Sequence, residues 1–271
     1  MISIITAVHG QLAVNRLFWE ALKRYTHQPF ELIIVDNASP DDSAAFFESV
    51  GARVIRNREN FSYPFSQNQG IHIARHDWLA FLNNDIIVSP GWDDRLMASM
   101  HRHGLEAATV CGIEQIENRR QTRRLKRRWS LIKGLLSSIS KSHTNLQRMH
   151  RWMYGDWEQF NASRTAKFAG EIKEGFVGNT VMLRRSALEK IGLWDERVQA
   201  ADFDLYLRSK ARSLSHGDIR PVHIALDCFV HHYIRLTLSA GYPPFADRDR
   251  LISLEEKWPA EQRVWLDALN H

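Results

Sequence analysis

Four short runs in this chain carry side chains whose types and spacing suit chemistry as well as packing. Asp36 closes the apolar run Glu31-Leu32-Ile33-Ile34-Val35 and leads into the polar turn Asn37-Ala38-Ser39. A carboxylate there accepts hydrogen bonds from a base or a ribose, although Asp-Asn-x-Ser is equally an ordinary turn and helix cap. Asn83-Asn84-Asp85 stands between Phe81-Leu82 and Ile86-Ile87-Val88. Hard divalent cations take oxygen ligands and share them with phosphates, so Asp85, with Asn83 or a water, suits a cation bridging two phosphates. The competing role is a hairpin turn. Asp202 and Asp204 enter an apolar helix two residues apart. The helix dipole favours acids in a first turn, but a carboxylate beside an acceptor hydroxyl is also a general base. A spacing of two sends the side chains in different directions, which assigns Asp202 to the acceptor and Asp204 to support. His231-His232 follow the apolar run Ile224–Val230. One of these imidazoles is a candidate metal ligand, with a structural role as the alternative.

These groups work together only if a scaffold gathers them. Apolar strands at Ile2–Val8, Glu31–Asp36, Ala52–Arg56 and Trp78–Leu82 alternate with helical patterns at Leu12–Tyr25, Pro40–Val50 and Ser66–Arg75. That alternation predicts a parallel sheet covered on both faces. Ligands of such sheets bind beyond the carboxyl ends of the strands, so Asp36 and Asp85 are expected to converge on one crevice. A helix over Gly91–Arg102 and a strand over Ala107–Ile113 follow. Residues 115–165 then break the pattern with a basic run and an amphipathic, Trp- and Met-bearing stretch, and alternation resumes at Gly175–Leu183. Asp247–Trp258 and Ala260–Leu269 read as two C-terminal helices separated at Pro259.

Composition sets the outer bounds. At 271 residues and 44% hydrophobic, the chain has enough apolar side chains for one large α/β domain with an embellishment. Cys111 and Cys228 sit in apolar runs and read as reduced core thiols, which makes a cytosolic-type compartment the default. Ile2–Val8 already reads as a buried strand, so no signal peptide is expected before the fold. No apolar run approaches the ~20 residues that span a bilayer. The expected location is cytoplasmic, or peripheral at the inner membrane surface.

Taken in order, these signals resemble the family-2-like glycosyltransferases of GT-A fold. The resemblance covers roughly residues 1–112 and 175–237. It is carried by Ile33 through Ser39; Asn57, Asn60-Phe61 and Asn68-Gln69-Gly70; Phe81 through Asp85; Gly178-Asn179 and Met182 through Arg185; Ile191 through Glu196; Asp202 through Leu205; and His231-His232. It implies a Rossmann-like mixed sheet covered by helices, with a basic helical insertion. It divides the chain into a nucleotide-sugar-binding half (1–112), the insertion (115–165), an acceptor and catalytic half (170–237) and C-terminal helices (247–271).

The implied activity is transfer of a hexosyl or deoxyhexosyl group, with inversion, from a nucleotide diphosphate donor (UDP or dTDP). The acceptor hydroxyl would lie on a lipid-linked or cell-surface glycan, and the cofactor would be Mn²⁺ or Mg²⁺. By position, Ala7, His9, Asp36, Asn68, Asn83, Asn84 and Asp85 would hold the donor, with Asp85, Asn83 and His231 around the metal. Asp202 matches the catalytic base, and Gly178, Asn179, Trp194 and Asp204 fall on the acceptor side. Two departures stand out: the triplet begins with Asn83 where an Asp is usual, removing one charge, and Ala201 precedes Asp202 where Glu is frequent.

Net charge is +5, yet Asn118–Gly155 contains no acid and eleven Lys and Arg, leaving the remainder net acidic. An anionic partner is therefore expected at residues 119–152, with Arg123, Arg124, Arg127 and Arg128 its leading contacts. A solvated charge run is one reading. A second is an interfacial helix in which Trp129, Leu131, Ile132, Leu135, Leu136 and Ile139 dip into a lipid leaflet. A third is a nucleic-acid clamp in which Trp129, Trp152 or Trp157 stack on bases, the acceptor then being a modified base. The aliphatic residues after the arginines favour the membrane. Two other classes compete for the whole chain. A nucleotidyltransferase would carry a Gly-rich basic first loop, whereas Ala7-Val8-His9-Gly10-Gln11 has one Gly and no Lys or Arg. A catalytically decayed polyanion-binding module is opposed by Asp36, Asp85, Asp202 and Asp204 standing in the expected order.

Overall fold

The side chains of β1 (Ile2–Val8) alternate between two apolar layers: Ile2, Ile4 and Val8 enter one core and Ile5 the other. This strand lies near the middle of the sheet in the computed structural model, which describes residues 1–234 and 241–267. β2 (Phe30–Asn37) and β4 (Trp78–Leu82) flank β1 in parallel, and β3 (Arg53–Asn57) adds to β2 at the edge. On the far side of β4 the sheet becomes mixed. β8 (Thr180–Arg184) runs antiparallel between β4 and β6 (Ala107–Cys111), followed by β9 (His223–Phe229) and β7 (Ile172–Glu174). The order β3-β2-β1-β4-β8-β6-β9-β7 thus joins a parallel half to a mixed half. A two-stranded ribbon of β5 (Ile86–Ile87) and β10 (His231–His232) stands apart from it.

Helices cover both faces. α1 (Leu12–Tyr25), α2 (Ser43–Ser49) and α4 (Trp92–His103) pack on one core; α3 (Tyr63–Ile73), α8 (Arg185–Ile191) and α9 (Ala201–His216) pack on the other. α3 comes very close to β1, because a Cβ at Gly70 would collide with Ile5. The segment 115–165 holds three helices: α5 (Arg119–Ser137), α6 (His143–Tyr154) and α7 (Trp157–Lys167). They extend the first core, with Trp129, Ile132, Leu136, Leu146, Met149, Met153 and Trp157 all buried. At roughly 1.5–3 kcal/mol for each large apolar side chain removed from water, this face holds α5 down despite its charge. Cys111 and Cys228 are buried free thiols, pushed by burial to about 11 and about 12.

The expected helix over Asp247–Trp258 is not continuous. A 3₁₀ turn at Arg248–Arg250 gives way to extended backbone at Leu251, and Ser253 opens the short α10 (Leu254–Lys257) with a capping box to Glu256. Ser253 competes for the backbone donors that a through-going helix would need. α11 (Ala260–Asp267) follows Pro259; the remainder of that expected helix, to Leu269, lies outside the described residues.

Candidate active site

The strand ends β1, β2 and β4 open on the same edge of the sheet, as their parallel register requires. At the end of β2, Asp36 is buried, and its Oδ1 accepts the Ser39 backbone N–H at 2.9 Å. Its Oδ2 is also out of solvent and has no hydrogen-bond partner among the described residues, which leaves one unsatisfied acceptor at the strand end. Ala38 takes a left-handed φ of 57° to make this turn. His9, just past β1, holds the same turn from the other side, its Nδ1 lying 2.6 Å from the Asn37 carbonyl. Ala7 is half-buried beside Val35 in the β1–β2 ladder.

The Asn83-Asn84-Asp85 run divides its work. Asn83 N–H donates to the Asn179 carbonyl at 3.0 Å. Asn84 Nδ2 donates to Asn15 Oδ1 at 2.7 Å, tying the run to α1. Asp85 is buried, and its Oδ1 lies 3.0 Å from His232 Nε2. The other ring nitrogen of His232 contacts Glu114 Oε1, and Glu114 Oε2 accepts from Asn179 Nδ2 at 3.0 Å. Asp85, His232, Glu114 and Asn179 therefore form one connected chain. Burial works against a charge on His232, but Asp85 and Glu114 on either side outweigh it and hold its pKa well above the usual imidazole value.

His231, the expected metal ligand, points the other way. Successive residues of a strand face opposite sides, and His231 pairs with Ile87 while His232 pairs with Ile86. His231 is fully buried, with Trp129, His150, Tyr154 and Tyr233 against its ring and the Tyr154 hydroxyl 3.0 Å from Nδ1. Burial first, and then the neighbouring His150 and His232, keep it neutral. The histidine at Asp85 is His232.

Among the described residues there is no group of three or more His, Cys, Asp or Glu side chains arranged to hold a cation by themselves. Asp85 offers one carboxylate; His232 on the facing strand, protonated between Asp85 and Glu114, becomes a nitrogen donor only by releasing its Nε2 proton, with Glu114 holding Nδ1. Cations that work on diphosphates need only one or two protein ligands, the phosphate oxygens supplying others. The donor set fits such a shared cation, with Asn83 positioned by its backbone and not by its side chain.

Asp202 sits in the first turn of α9, against Gly178. The residue meets solvent only in part, and its Oδ1 is shut off from water without a partner among the described residues. Burial raises this carboxyl to about 7. The Tyr63 hydroxyl is buried and unpartnered too, and burial together with the nearby Asp202 charge keeps it protonated. Asp204, two residues on, is fully buried between Arg208 Nε at 2.8 Å, Lys257 Nζ at 2.6 Å and Trp258 Nε1 at 2.8 Å. It locks α9 to α10 and does not face an acceptor.

Two further expected site residues are structural. The Asn68 amide is used up, donating to the Trp194 carbonyl and Glu196 Oε1, each at 2.9 Å, and accepting from Trp194 N–H at 3.1 Å. Trp194 is buried edge-on against Tyr63 and Phe81, so it shapes the floor without reaching an acceptor. Glu114 was not among the expected residues. Its signal is the one that marks Asp36 and Asp85, an acid just past the end of an apolar strand, here β6.

The basic segment splits by face. Arg119, Thr122, Arg123 and Lys126, three and four residues apart, line a cavity that also reaches Glu114. Arg124, Arg127 and Arg128 lie on other, exposed faces, and Arg128 donates to the Trp152 carbonyl at 2.7 Å. Past them, Leu131 (70% exposed), Leu135 (65%) and Ile139 (68%) stand in solvent. Trp129 and Trp157 are buried, which removes two of the three expected base-stacking platforms; Trp152 is exposed. No described helix is long and apolar enough to cross a membrane.

Residues 3–192 match the profile of glycosyl transferase family 2. Hyaluronan synthase from Pasteurella multocida is 23% identical over 207 residues, covering 72% of this chain and 21% of that protein. A mannosyltransferase from Pyrobaculum calidifontis, PcManGT, solved with GDP-Man and Mn²⁺, superposes with a TM-score of 0.55 at 12% identity. That match covers 89% of this chain and 58% of the other. TarS 1–349 from S. aureus, solved with UDP-GlcNAc, gives 0.52 at 12% identity, with 89% and 61% covered. The chain thus spans about a fifth of the hyaluronan synthase and about three fifths of the solved chains. The fold is GT-A, with a mixed sheet between helices.

Proposed function

The chain belongs to glycosyl transferase family 2, and from that premise we propose that it moves a sugar from a nucleotide diphosphate to an acceptor hydroxyl in one inverting displacement. Asp202 takes the hydroxyl proton as the acceptor oxygen bonds to the anomeric carbon, and the bond from that carbon to the diphosphate oxygen breaks on the opposite side. The nucleoside diphosphate leaves with the electron pair. The observation that carries this reading is the place of Asp202 in the first turn of α9 against Gly178, with Oδ1 shut off from water and unpartnered, a burial that raises the carboxyl to about 7. A base poised near the working pH is both ionised and able to hold a proton.

Asp36 Oδ2 would accept from the nucleoside, with Ala7 and His9 bounding that end of the crevice. A divalent cation, Mn²⁺ or Mg²⁺, would be held by Asp85 and His232 and would offset charge on the leaving diphosphate. The solved complexes of similar fold, with GDP-Man and Mn²⁺ and with UDP-GlcNAc, support a nucleotide-sugar donor and a metal.

A glycan carried at a membrane surface is the acceptor best supported. Leu131 and Leu135 share one stripe of α5 with Arg124 and Arg128, and Ile139 extends it. Cations attract anionic lipid headgroups, and the aliphatic residues enter the leaflet. Bases have no use for that stripe.

Thermal unfolding in UDP, dTDP or GDP, each with Mn²⁺, Mg²⁺ or EDTA, tests the donor site. A Tm rise of several degrees with one nucleotide and metal, lost in EDTA, is expected. No shift in any combination would remove the transferase reading.

A further inference from the structure

We propose that the acceptor carries a phosphate group, seated in the cavity between α5 and the strand β7, beside the candidate catalytic carboxylate. The cavity has a volume of about 390 Å³. Arg119, Arg123 and Lys126 line it from one face of α5, and Lys173 lines it from β7. Among the described residues, Arg123, Lys126 and Lys173 make no ion pair, so their charges converge on the space without a protein anion to meet them. Elsewhere in the chain Arg53, Lys190, Lys210 and Lys257 are each paired with an acid. The one acid in the lining, Glu114, has both oxygens committed to His232 and Asn179, so it does not neutralise the cluster. Phe176 and Phe203 supply an apolar wall.

Place makes this an acceptor site. Phe203 follows Asp202 directly in α9, and Phe176 lies two residues before Gly178, against which Asp202 packs. Glu114 ties the other end of the cavity to the Asp85–His232 pair. A molecule filling the cavity would therefore lie between the basic helix and the immediate neighbours of Asp202 and His232. Phosphate is the anion that several Lys and Arg donors suit best, since its oxygens accept from many directions at once. The charge could sit on a lipid carrier joined to the glycan or on the glycan itself.

The inference rests on the transferase reading, and its test keeps the two separable. The donor site is first filled with Mg²⁺ and the nucleoside diphosphate that gives the largest Tm rise. Equilibrium dialysis then measures binding of geranyl diphosphate and glycerol 3-phosphate, with geraniol and glycerol as uncharged counterparts. At least one phosphate probe is expected to bind, and its uncharged counterpart is not. Arg123→Ala with Lys126→Ala should weaken that binding at least about tenfold, as loss of charge-assisted hydrogen bonds does. Arg120→Ala with Arg148→Ala, which removes the same charge from exposed positions outside the cavity, should leave it within about twofold. Stronger binding of geranyl diphosphate assigns the charge to a lipid carrier, and stronger binding of glycerol 3-phosphate to the glycan. Absence of binding by both probes, or equal weakening in the two double variants, overturns the inference. A nucleoside diphosphate that still raises Tm in that case leaves the transferase reading standing.

Discussion

The Asp202 carboxylate occupies the space where a side chain at Gly178 would begin. A Cβ there would lie 2.8 Å from Asp202 Cγ and closer still to Oδ2. The loop before β8 and the first turn of α9, far apart in sequence, can approach this closely only because one partner lacks a side chain. The contact contributes to burying the carboxyl, and burial raises its pKa.

Gly178→Ala should therefore push Asp202 out of position without touching the donor end of the crevice. A displacement of this order costs about 10²-fold in turnover. Steady-state kinetics beside nucleoside diphosphate titration checks it. Unchanged turnover would mean that the carboxylate does not need its present place.

Asp202→Asn is expected to lower transfer by roughly 10²–10⁴-fold, the usual contribution of a general base, while nucleoside diphosphate binding persists. In the wild type, kcat should rise with pH through about 7 as Asp202 ionises. A profile flat between pH 5.5 and 8.5 would place the base elsewhere.

The same carboxyl makes a stability prediction of definite sign. Its folded pKa, about 7, lies above the usual carboxylate value, so the native state holds its proton more tightly than the unfolded chain does. Stability from this group is present at low pH and is lost as pH rises through about 7. Asp202→Asn should then raise Tm at pH 8 relative to wild type and by less at pH 5. An equal effect at both values would show that the carboxyl is not desolvated as described.

The two adjacent histidines should separate cleanly. His232→Ala is expected to abolish metal-dependent binding of nucleoside diphosphate, read by calorimetry, and to lower Tm as well, because Asp85 and Glu114 lose the charge between them. His231→Ala removes a ring from a closed aromatic cluster and should cost about 2–4 kcal/mol of stability, with the metal dependence retained. The reverse pattern would restore His231 as the ligand.

Leu131→Ser with Leu135→Ser and Ile139→Ser should release the protein from vesicles containing anionic phospholipid, measured by co-sedimentation, and leave donor hydrolysis intact. Undiminished sedimentation would take the membrane contact away from this stripe.

Much of this was legible along the chain because its signals are local. An acid at the end of an apolar strand needs only its neighbours to be recognised, and strand ends in a parallel half-sheet must share an edge; the placement of Asp36 and Asp85 on one edge followed from that alone. The alternation of strands and helices, the helical character of 115–165 and its charge were determined in the same way. Tertiary structure decided what depends on phase and on distant partners. Which histidine meets Asp85 turns on the pleat of a two-residue strand, where one step reverses the face. Asn68 and Asp204 are taken out of the crevice by Trp194 and by Lys257 and Trp258, partners that no local pattern names. Glu114 enters it by way of His232, across 118 residues. The state of Asp202 was decided last of all, since a carboxyl's proton affinity depends on the water around it, and only tertiary packing, Gly178 included, removes that water.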